Sequence, residues 1–197
     1  LLIEAGQQTV QRWYDPSQID PLQIDFESAK EQLDELLTRS IEEHLMSDVP
    51  LGCFLSGCVD SSGLVAYLTK KLGQRVQTFT VGYPEDKSEL GHAARVAELF
   101  GTEHHALELT HGDFFRGVDR QLEHAEEPLL ESAAVALLEL SHFASSHATV
   151  LLSGEGADEA FAGYPLYERN PKPDRPRQIF FRSEEHTSEL QSRTNLV

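Results

Sequence analysis

The sequence predicts an α/β fold: a doubly wound parallel sheet with flanking helices. Two observations predict it. Short apolar runs of strand length alternate along the chain with longer stretches of helical periodicity. Gly73 and Gly101 each follow a helical stretch, where a left-handed residue commonly ends a helix. Strands that alternate with helices pair in parallel through right-handed crossovers, which places helices on the faces of one sheet.

The first predicted element is an amphipathic helix that begins at Phe26, with Asp25 as its N-cap. Its apolar residues recur at three- and four-residue steps: Phe26, Ala29, Leu33, Leu36, Leu37, Ile41 and Leu45. Residues 1–25 contain two prolines and little periodicity, so we interpret them as a linker or the edge of a preceding domain.

Four strands and four further helices follow in alternation. The strands are predicted at 51–55, 76–81, 105–109 and 149–152, and the helices at 61–72, 88–100, 110–123 and 132–147. Thr110 and Asp113 have the spacing of a capping box at the start of the third of these helices.

The periodic pattern stops beyond Tyr167. Residues 170–177 are rich in proline and charge, and residues 182–192 resemble a translated sequencing adapter. We favour an artefact over a native disordered tail and leave 168–197 outside the fold prediction. The predicted domain therefore covers residues 26–167.

Composition restricts the function further. The chain has 197 residues, of which 40% are hydrophobic, as expected for one soluble domain. The net charge of −17 argues against nucleic acid as a partner. The sequence has neither the roughly 20 apolar residues of a membrane span nor a signal peptide at its start, so we expect a cytoplasmic protein without a membrane partner. Cys53 and Cys58 are expected to be reduced thiols.

A loop of small residues, 56–62, separates the strand predicted at 51–55 from the next helix. It reads Ser-Gly-Cys-Val-Asp-Ser-Ser. Ligands of open α/β sheets bind beyond the carboxyl ends of the strands, where such a loop and the helix N-terminus present N–H groups to an anion. The serine hydroxyls would donate to phosphate, and Asp60 would hold Mg²⁺ against it. The alternative is a serine-rich helix cap without a ligand.

A second loop, 153–164, follows the last predicted strand and reads Ser-Gly-Glu-Gly-Ala-Asp-Glu-Ala-Phe-Ala-Gly-Tyr. Taken alone, it is compatible with a solvated turn. Beside the first loop, its carboxylates can share a metal, orient an amine or act as a general base.

The two loops together carry a family resemblance. The first resembles the Ser-Gly-Gly-Val-Asp-Ser-Ser pyrophosphate-binding loop (PP-loop) of the ATP pyrophosphatase superfamily, except at Cys58. The second resembles the second signature of the asparagine synthetase family. Further matches cover residues 48–52, 79–83, 101–105 and 127–128, within a resemblance over roughly 1–167. The resemblance implies an adenine nucleotide alpha hydrolase-like fold that cleaves ATP to an adenylate and pyrophosphate.

The resemblance implies an ATP-dependent ligase that makes asparagine from aspartate through a β-aspartyl-AMP intermediate, with Mg²⁺. Ammonia would come from glutamine, hydrolysed by an N-terminal glutaminase domain of which residues 1–25 resemble the end and the linker. The family's catalytic lysine is expected beyond the second loop, where this chain has the suspect tail. The resemblance also implies a homodimer for the intact enzyme.

The resemblance assigns roles residue by residue. Leu55 and Val81 would frame the adenosine, and Ser153 and Gly154 would also contact the nucleotide. Glu155 matches the glutamate needed to form the intermediate, and Asp158 matches a further acidic position that we predict to be catalytic. The phosphates and Mg²⁺ would be held by Ser56, Gly57, Asp60, Ser61 and Ser62.

Cys58 departs from the family pattern. If its φ is positive, its side chain costs on the order of 1 kcal/mol, and its sulfur intrudes on the pyrophosphate. A tolerated variant, a redox-sensitive thiol near a helix N-terminus and a single-base error all stay open. Two other functions stay open as well: a related adenylating enzyme, such as a β-lactam synthetase or peptide cyclase, and a nucleotide-binding module without catalysis.

Overall fold

A computed structural model describes residues 2–4, 6–11, 20, 22–84, 87–125 and 132–164. The expectations for Glu127, Pro128 and the tail 168–197 lie outside these residues. The chain divides into two compact units, Leu1–Ser40 and Ile41–Val197.

The first unit begins with an antiparallel hairpin that the sequence analysis did not predict. Strand β1 (Leu2–Glu4) pairs with β2 (Gln7–Thr9), and Leu2 lies opposite Thr9. The turn contains Gly6 at a φ of 80°. Neither strand carries more than two apolar residues in a row, unlike the apolar run at 150–152, which explains why the sequence did not reveal them.

The first predicted helix is confirmed as α1 (Phe26–His44). The Asp25 carboxylate accepts hydrogen bonds from the Ser28 N–H at 3.0 Å and the Ser28 hydroxyl at 2.7 Å, which confirms the N-cap. Within the first unit, Phe26 at the start of the apolar stripe is exposed. Ile41, at the carboxyl end of the helix, belongs to the second unit and is buried in its core.

The second unit contains a parallel sheet in the order β5-β4-β3-β6. Its strands are β3 (Leu51–Phe54), β4 (Gln77–Gly82), β5 (Glu103–Glu108) and β6 (Val150–Leu152). The chain runs outward from β3 to β5 and then returns to place β6 on the other side of β3. This order confirms the doubly wound sheet and puts its switch point between β3 and β6, where such sheets open a crevice at their carboxyl ends.

The helices of the second unit lie close to the predicted positions. They are α2 (Val59–Ala66) with a π-helical continuation (Tyr67–Lys71), α3 (Lys87–Phe100), α4 (His111–His124), α5 (Ser132–Ala144) and α6 (Ala157–Phe161). Gly73 and Gly101 adopt the left-handed conformation expected at helix ends, and Thr110 and Asp113 form the predicted capping box. The five-residue helix α6 was not predicted.

Two apolar clusters cover the two faces of the sheet. Cys53 and Leu55 pack with α2 and α3 through residues such as Val65 and Ala93. Phe79 packs on the opposite face with Leu140 and the rest of α5. Burial in the first cluster raises the pKa of Cys53 to about 12, so this thiol is a packing residue that stays protonated.

No helix in the described parts of the chain combines the length and the apolar composition that a membrane crossing requires.

Candidate active site

The first predicted loop follows β3 at the switch point, and its shape depends on Gly57. This residue has a φ of 84°, which glycine adopts without strain. A Cβ at Gly57 would lie 2.7 Å from the Ala93 amide nitrogen and 2.7 Å from His92 Cβ, both in α3. Both the backbone conformation and the close approach of α3 therefore require glycine at position 57.

Cys58 occupies a different kind of position. Its φ of −74° and ψ of 170° are extended values that any residue adopts, and it is the N-cap of α2. The backbone penalty considered above for a positive φ therefore does not apply. The Cys58 N–H donates to Ser56 Oγ at 3.3 Å, and the side chain is exposed.

Two hydroxyl groups of the loop lie together. Ser56 Oγ and Ser61 Oγ are 2.9 Å apart, and the Ser56 N–H donates to Ser61 Oγ at 3.2 Å. Ser61 Oγ also donates to the Cys58 carbonyl at 3.3 Å. This network fixes both serines at the N-terminal turn of α2, where the positive end of the helix favours an anion.

The second predicted loop lies against the first. Because β6 pairs in parallel with β3, with Leu152 opposite Cys53, the segments that follow them start side by side. A Cβ at Gly154 would lie 3.1 Å from the Ser61 amide nitrogen and 3.2 Å from Asp60 Cβ. The absence of a side chain at Gly154 therefore lets the two loops touch.

Asp158 in α6 lies close enough to Asp60 of the first loop to be affected by its charge. Burial raises the pKa of Asp158, and the nearby carboxylates of Asp60 and Glu159 raise it further. Tyr164 OH donates to Glu159 Oε1 at 2.9 Å, and burial together with this contact raises the pKa of Tyr164. The end of the second loop thus packs back on α6 through the hydrogen bond between Tyr164 and Glu159.

A cavity of about 400 Å³ opens where the two loops meet. Six of the predicted site residues line it: Ser56, Ser61, Val81, Ser153, Gly154 and Glu155. The other five do not: Leu55, Gly57, Asp60, Ser62 and Asp158. Leu55 is 1% exposed and packs in the core, and Ser62 Oγ is buried without a hydrogen-bond partner among the described residues.

The cavity has further walls that the sequence analysis did not identify. Thr80 and Glu89 contribute polar side chains from β4 and α3. The apolar wall consists of Phe54, Ala133, Ala134, Ala136 and Leu137. Thr80 precedes Val81 at the carboxyl end of a strand, and this position could have predicted that it lines the site. Glu89 and the α5 residues reach the site only through tertiary packing, which the sequence does not reveal.

The cavity lining is acidic. Glu89 and Glu155 line it, and none of the described residues lining it is Lys, Arg or His. Among the described residues, no group of three or more His, Cys, Asp or Glu side chains is arranged to hold a metal ion by itself. An anionic ligand in this cavity would therefore depend on backbone N–H groups, hydroxyls and an accompanying cation.

The fold and the paired loops define an α/β protein whose candidate ligand site lies at the switch point of a doubly wound sheet. The family model "Asparagine synthase" matches residues 32–196. The chain belongs to the asparagine synthase family.

Curated relatives agree with this family. The chain is 33% identical over 164 residues to asparagine synthetase [glutamine-hydrolyzing] 1 of Bacillus subtilis. The aligned segment covers 83% of this chain and 26% of that relative. It is 35% identical over 158 residues to a putative asparagine synthetase of Mycobacterium tuberculosis, covering 79% of the chain and 24% of the relative. The chain thus spans about a quarter of the length of these relatives.

Solved structures with similar folds include two NAD synthetases. The NH3-dependent enzyme from Campylobacter jejuni has a TM-score of 0.46 and 15% identity, over 72% of this chain and 61% of that one. The glutamine-dependent enzyme from Acinetobacter baumannii, solved with ADP, has a TM-score of 0.46 and 18% identity, over 76% of this chain and 30% of that one.

Proposed function

We propose that the protein to which this chain belongs is an ATP-dependent amide-forming ligase that makes asparagine from aspartate through β-aspartyl-AMP. The observation that carries the proposal is the contact of Gly154 with Asp60 and Ser61. Through this contact, a serine-rich loop at a helix N-terminus and a loop that presents Glu155 share one cavity.

ATP would lie across this cavity. Ser56, Ser61 and the backbone of Gly57 would hold the phosphates, together with Ser62. The paired hydroxyls and the N-terminal turn of α2 support this placement. Val81 would frame the adenosine from β4, while Ser153 and Gly154 would contact the nucleotide from the second loop. Leu55, which follows β3 and has its side chain buried in the core, would frame the adenosine only through its backbone.

Mg²⁺ would be held by Asp60, which borders the cavity where Gly154 packs against it. The residues fit this ion, because Mg²⁺ in proteins commonly takes one or two carboxylates together with phosphate oxygens. Burial and then the nearby charge of Asp60 raise the pKa of Asp158, which supports a second carboxylate close to such an ion. The bound ion would neutralise charge on the departing pyrophosphate.

The chemistry has two steps. The β-carboxylate of aspartate attacks the α-phosphorus of ATP, and pyrophosphate leaves. Ammonia then attacks the activated carbonyl, AMP leaves, and the amide forms. Glu155 lines the cavity at the second loop, where it would orient the reacting groups or take the proton that ammonia loses.

The complete protein would contain more than the ATP-binding part. Residues 1–25 would join a glutaminase domain that supplies ammonia, and residues 26–167 would form the ATP-binding part. The intact enzyme would be a cytoplasmic homodimer. Aspartate and glutamine would be its small-molecule substrates.

Pyrophosphate release by the complete protein tests the proposal. With ATP, Mg²⁺ and ammonia, release is expected to depend on aspartate, and Glu155→Gln is expected to lower kcat by at least roughly 100-fold. Glu98→Gln, on the exposed face of α3, is the matched control and should leave the rate unchanged. Release that requires another carboxylic acid in place of aspartate would favour a related adenylating enzyme, and binding of ATP without any release would favour a non-catalytic module.

A further inference from the structure

Thr80 is a buried polar residue that lines the cavity. It lies on β4, is 2% exposed, and contributes to the cavity wall beside Val81. Its hydroxyl makes no hydrogen bond to another described residue. It is not one of the fully enclosed polar atoms that lack a partner among the described residues, so it keeps access to the cavity, where water or a ligand that displaces the water can hydrogen-bond to it.

The direction of Thr80 follows from the strand. Val81 and Phe79 pack on the face covered by α5. Successive side chains of a strand point to opposite faces, so Thr80 points toward the face of α2 and α3. Ser61 and Glu89 line the cavity from these two helices.

This placement identifies the part of the ligand that Thr80 would meet. Under the proposed function, on which this inference rests, the base lies beside Val81 and the phosphates lie at Ser56 and Ser61. The ribose joins the base to the phosphates. Thr80 directly precedes Val81, and the Leu55 N–H donates to the Phe79 carbonyl at 2.8 Å, so Thr80 lies next to both Val81 and the start of the first loop. A threonine hydroxyl donates and accepts one hydrogen bond each, as a ribose hydroxyl does.

We propose that the Thr80 hydroxyl binds a ribose hydroxyl of the nucleotide and makes the site selective for ribonucleotides over deoxyribonucleotides. A site that hydrogen-bonds a ligand hydroxyl discriminates against the analogue without it, because the protein hydroxyl then loses that partner.

Binding of ATP, 2′-deoxy-ATP and 3′-deoxy-ATP to the complete protein tests this proposal by calorimetry. The wild type is expected to bind one of the two deoxynucleotides roughly three- to tenfold more weakly than ATP. Thr80→Val keeps the shape of the side chain and removes the hydroxyl. It should weaken ATP binding by a similar factor and abolish the discrimination, whereas Thr80→Ser should retain it.

Three outcomes overturn the proposal. If the wild type binds all three nucleotides equally, or if folded Thr80→Val keeps the wild-type ratio, Thr80 does not read the ribose, and the proposed function stands. If the wild type binds no ATP, the proposed function fails as well. If Thr80→Val does not fold, the proposal is tested by the affinities of the wild type and of Thr80→Ser for the two deoxynucleotides.

Discussion

Gly154 lies directly against Asp60: a Cβ built on the glycine would be 3.2 Å from the aspartate Cβ. These residues are 94 positions apart in the sequence and belong to the segments that follow β6 and β3. Parallel pairing of the two strands brings the segments to the same edge of the sheet, and the missing side chain of Gly154 lets them touch. The proposed site depends on this contact.

The contact between the loops predicts the effect of Gly154→Ala. The added methyl group would be 3.1 Å from the Ser61 amide nitrogen, so the loops must separate. We expect a destabilisation of about 1–3 kcal/mol in urea unfolding and at least roughly tenfold weaker ATP binding.

Gly63→Ala in α2 is the matched control for this variant. An added Cβ at Gly63 meets no atom within 4 Å, and alanine is favoured over glycine inside a helix. This variant should gain about 0.5–1 kcal/mol and bind ATP normally. Equal ATP affinity of the two variants would show that contact between the loops is not needed for binding.

The backbone conformation of the first loop predicts that a substitution at Gly57 destabilises the fold strongly, whereas one at the neighbouring Cys58 has little effect. Gly57→Ala combines a left-handed φ with a Cβ 2.7 Å from the Ala93 backbone, so it should destabilise the fold by about 2–5 kcal/mol. Cys58→Gly changes a residue with an extended φ of −74° and should destabilise by less than about 1 kcal/mol. Urea unfolding of both variants measures this difference. A clear stabilisation by Cys58→Gly would contradict the extended conformation at position 58.

The pKa of Asp158 predicts a pH dependence of stability. Burial and the neighbouring Asp60 and Glu159 raise this pKa above its ordinary value of 3.8. The folded state therefore binds the proton more tightly than the unfolded state, and the ionised carboxylate destabilises the fold at neutral pH. Asp158→Asn should raise the Tm at pH 7 without nucleotide or Mg²⁺, and the gain should shrink as the pH falls toward 3.8.

Asp119→Asn, at an exposed position of α4, is the control for this experiment and should leave the Tm nearly unchanged. Under the proposed function, Asp158→Asn should also lose activity while it gains stability, since active-site charges are commonly kept at the expense of stability. A Tm of Asp158→Asn that falls at pH 7 would contradict the repulsion between Asp158 and Asp60.

The sequence predicted the sheet and its helices because the local signals agree with the fold. Gly73 and Gly101 end helices, Thr110 caps one, and the apolar runs 51–54 and 150–152 form the strands β3 and β6. The meeting of the two loops could also be anticipated, because adjacent parallel strands end at the same edge.

Other features could not be predicted from local pattern. The requirement for glycine at position 57 comes from the approach of α3, and the burial of Leu55 comes from packing against α2 and α3. Thr80 and Glu89 reach the cavity from elements that carry no motif for it. At Cys58, the family motif suggested a possible positive φ, whereas the positive φ belongs to its neighbour Gly57.

Transfer of oxygen from aspartate to AMP tests the central claim most directly. The complete protein is supplied with aspartate labelled with ¹⁸O in its β-carboxylate, ATP, Mg²⁺ and ammonia, and the AMP is analysed by mass spectrometry. If the β-carboxylate attacks the α-phosphorus and ammonia then attacks the carbonyl, one labelled oxygen stays on each AMP. Formation of ADP with the label in inorganic phosphate, or of AMP without label, would contradict an adenylate formed where Asp60 and Gly154 meet.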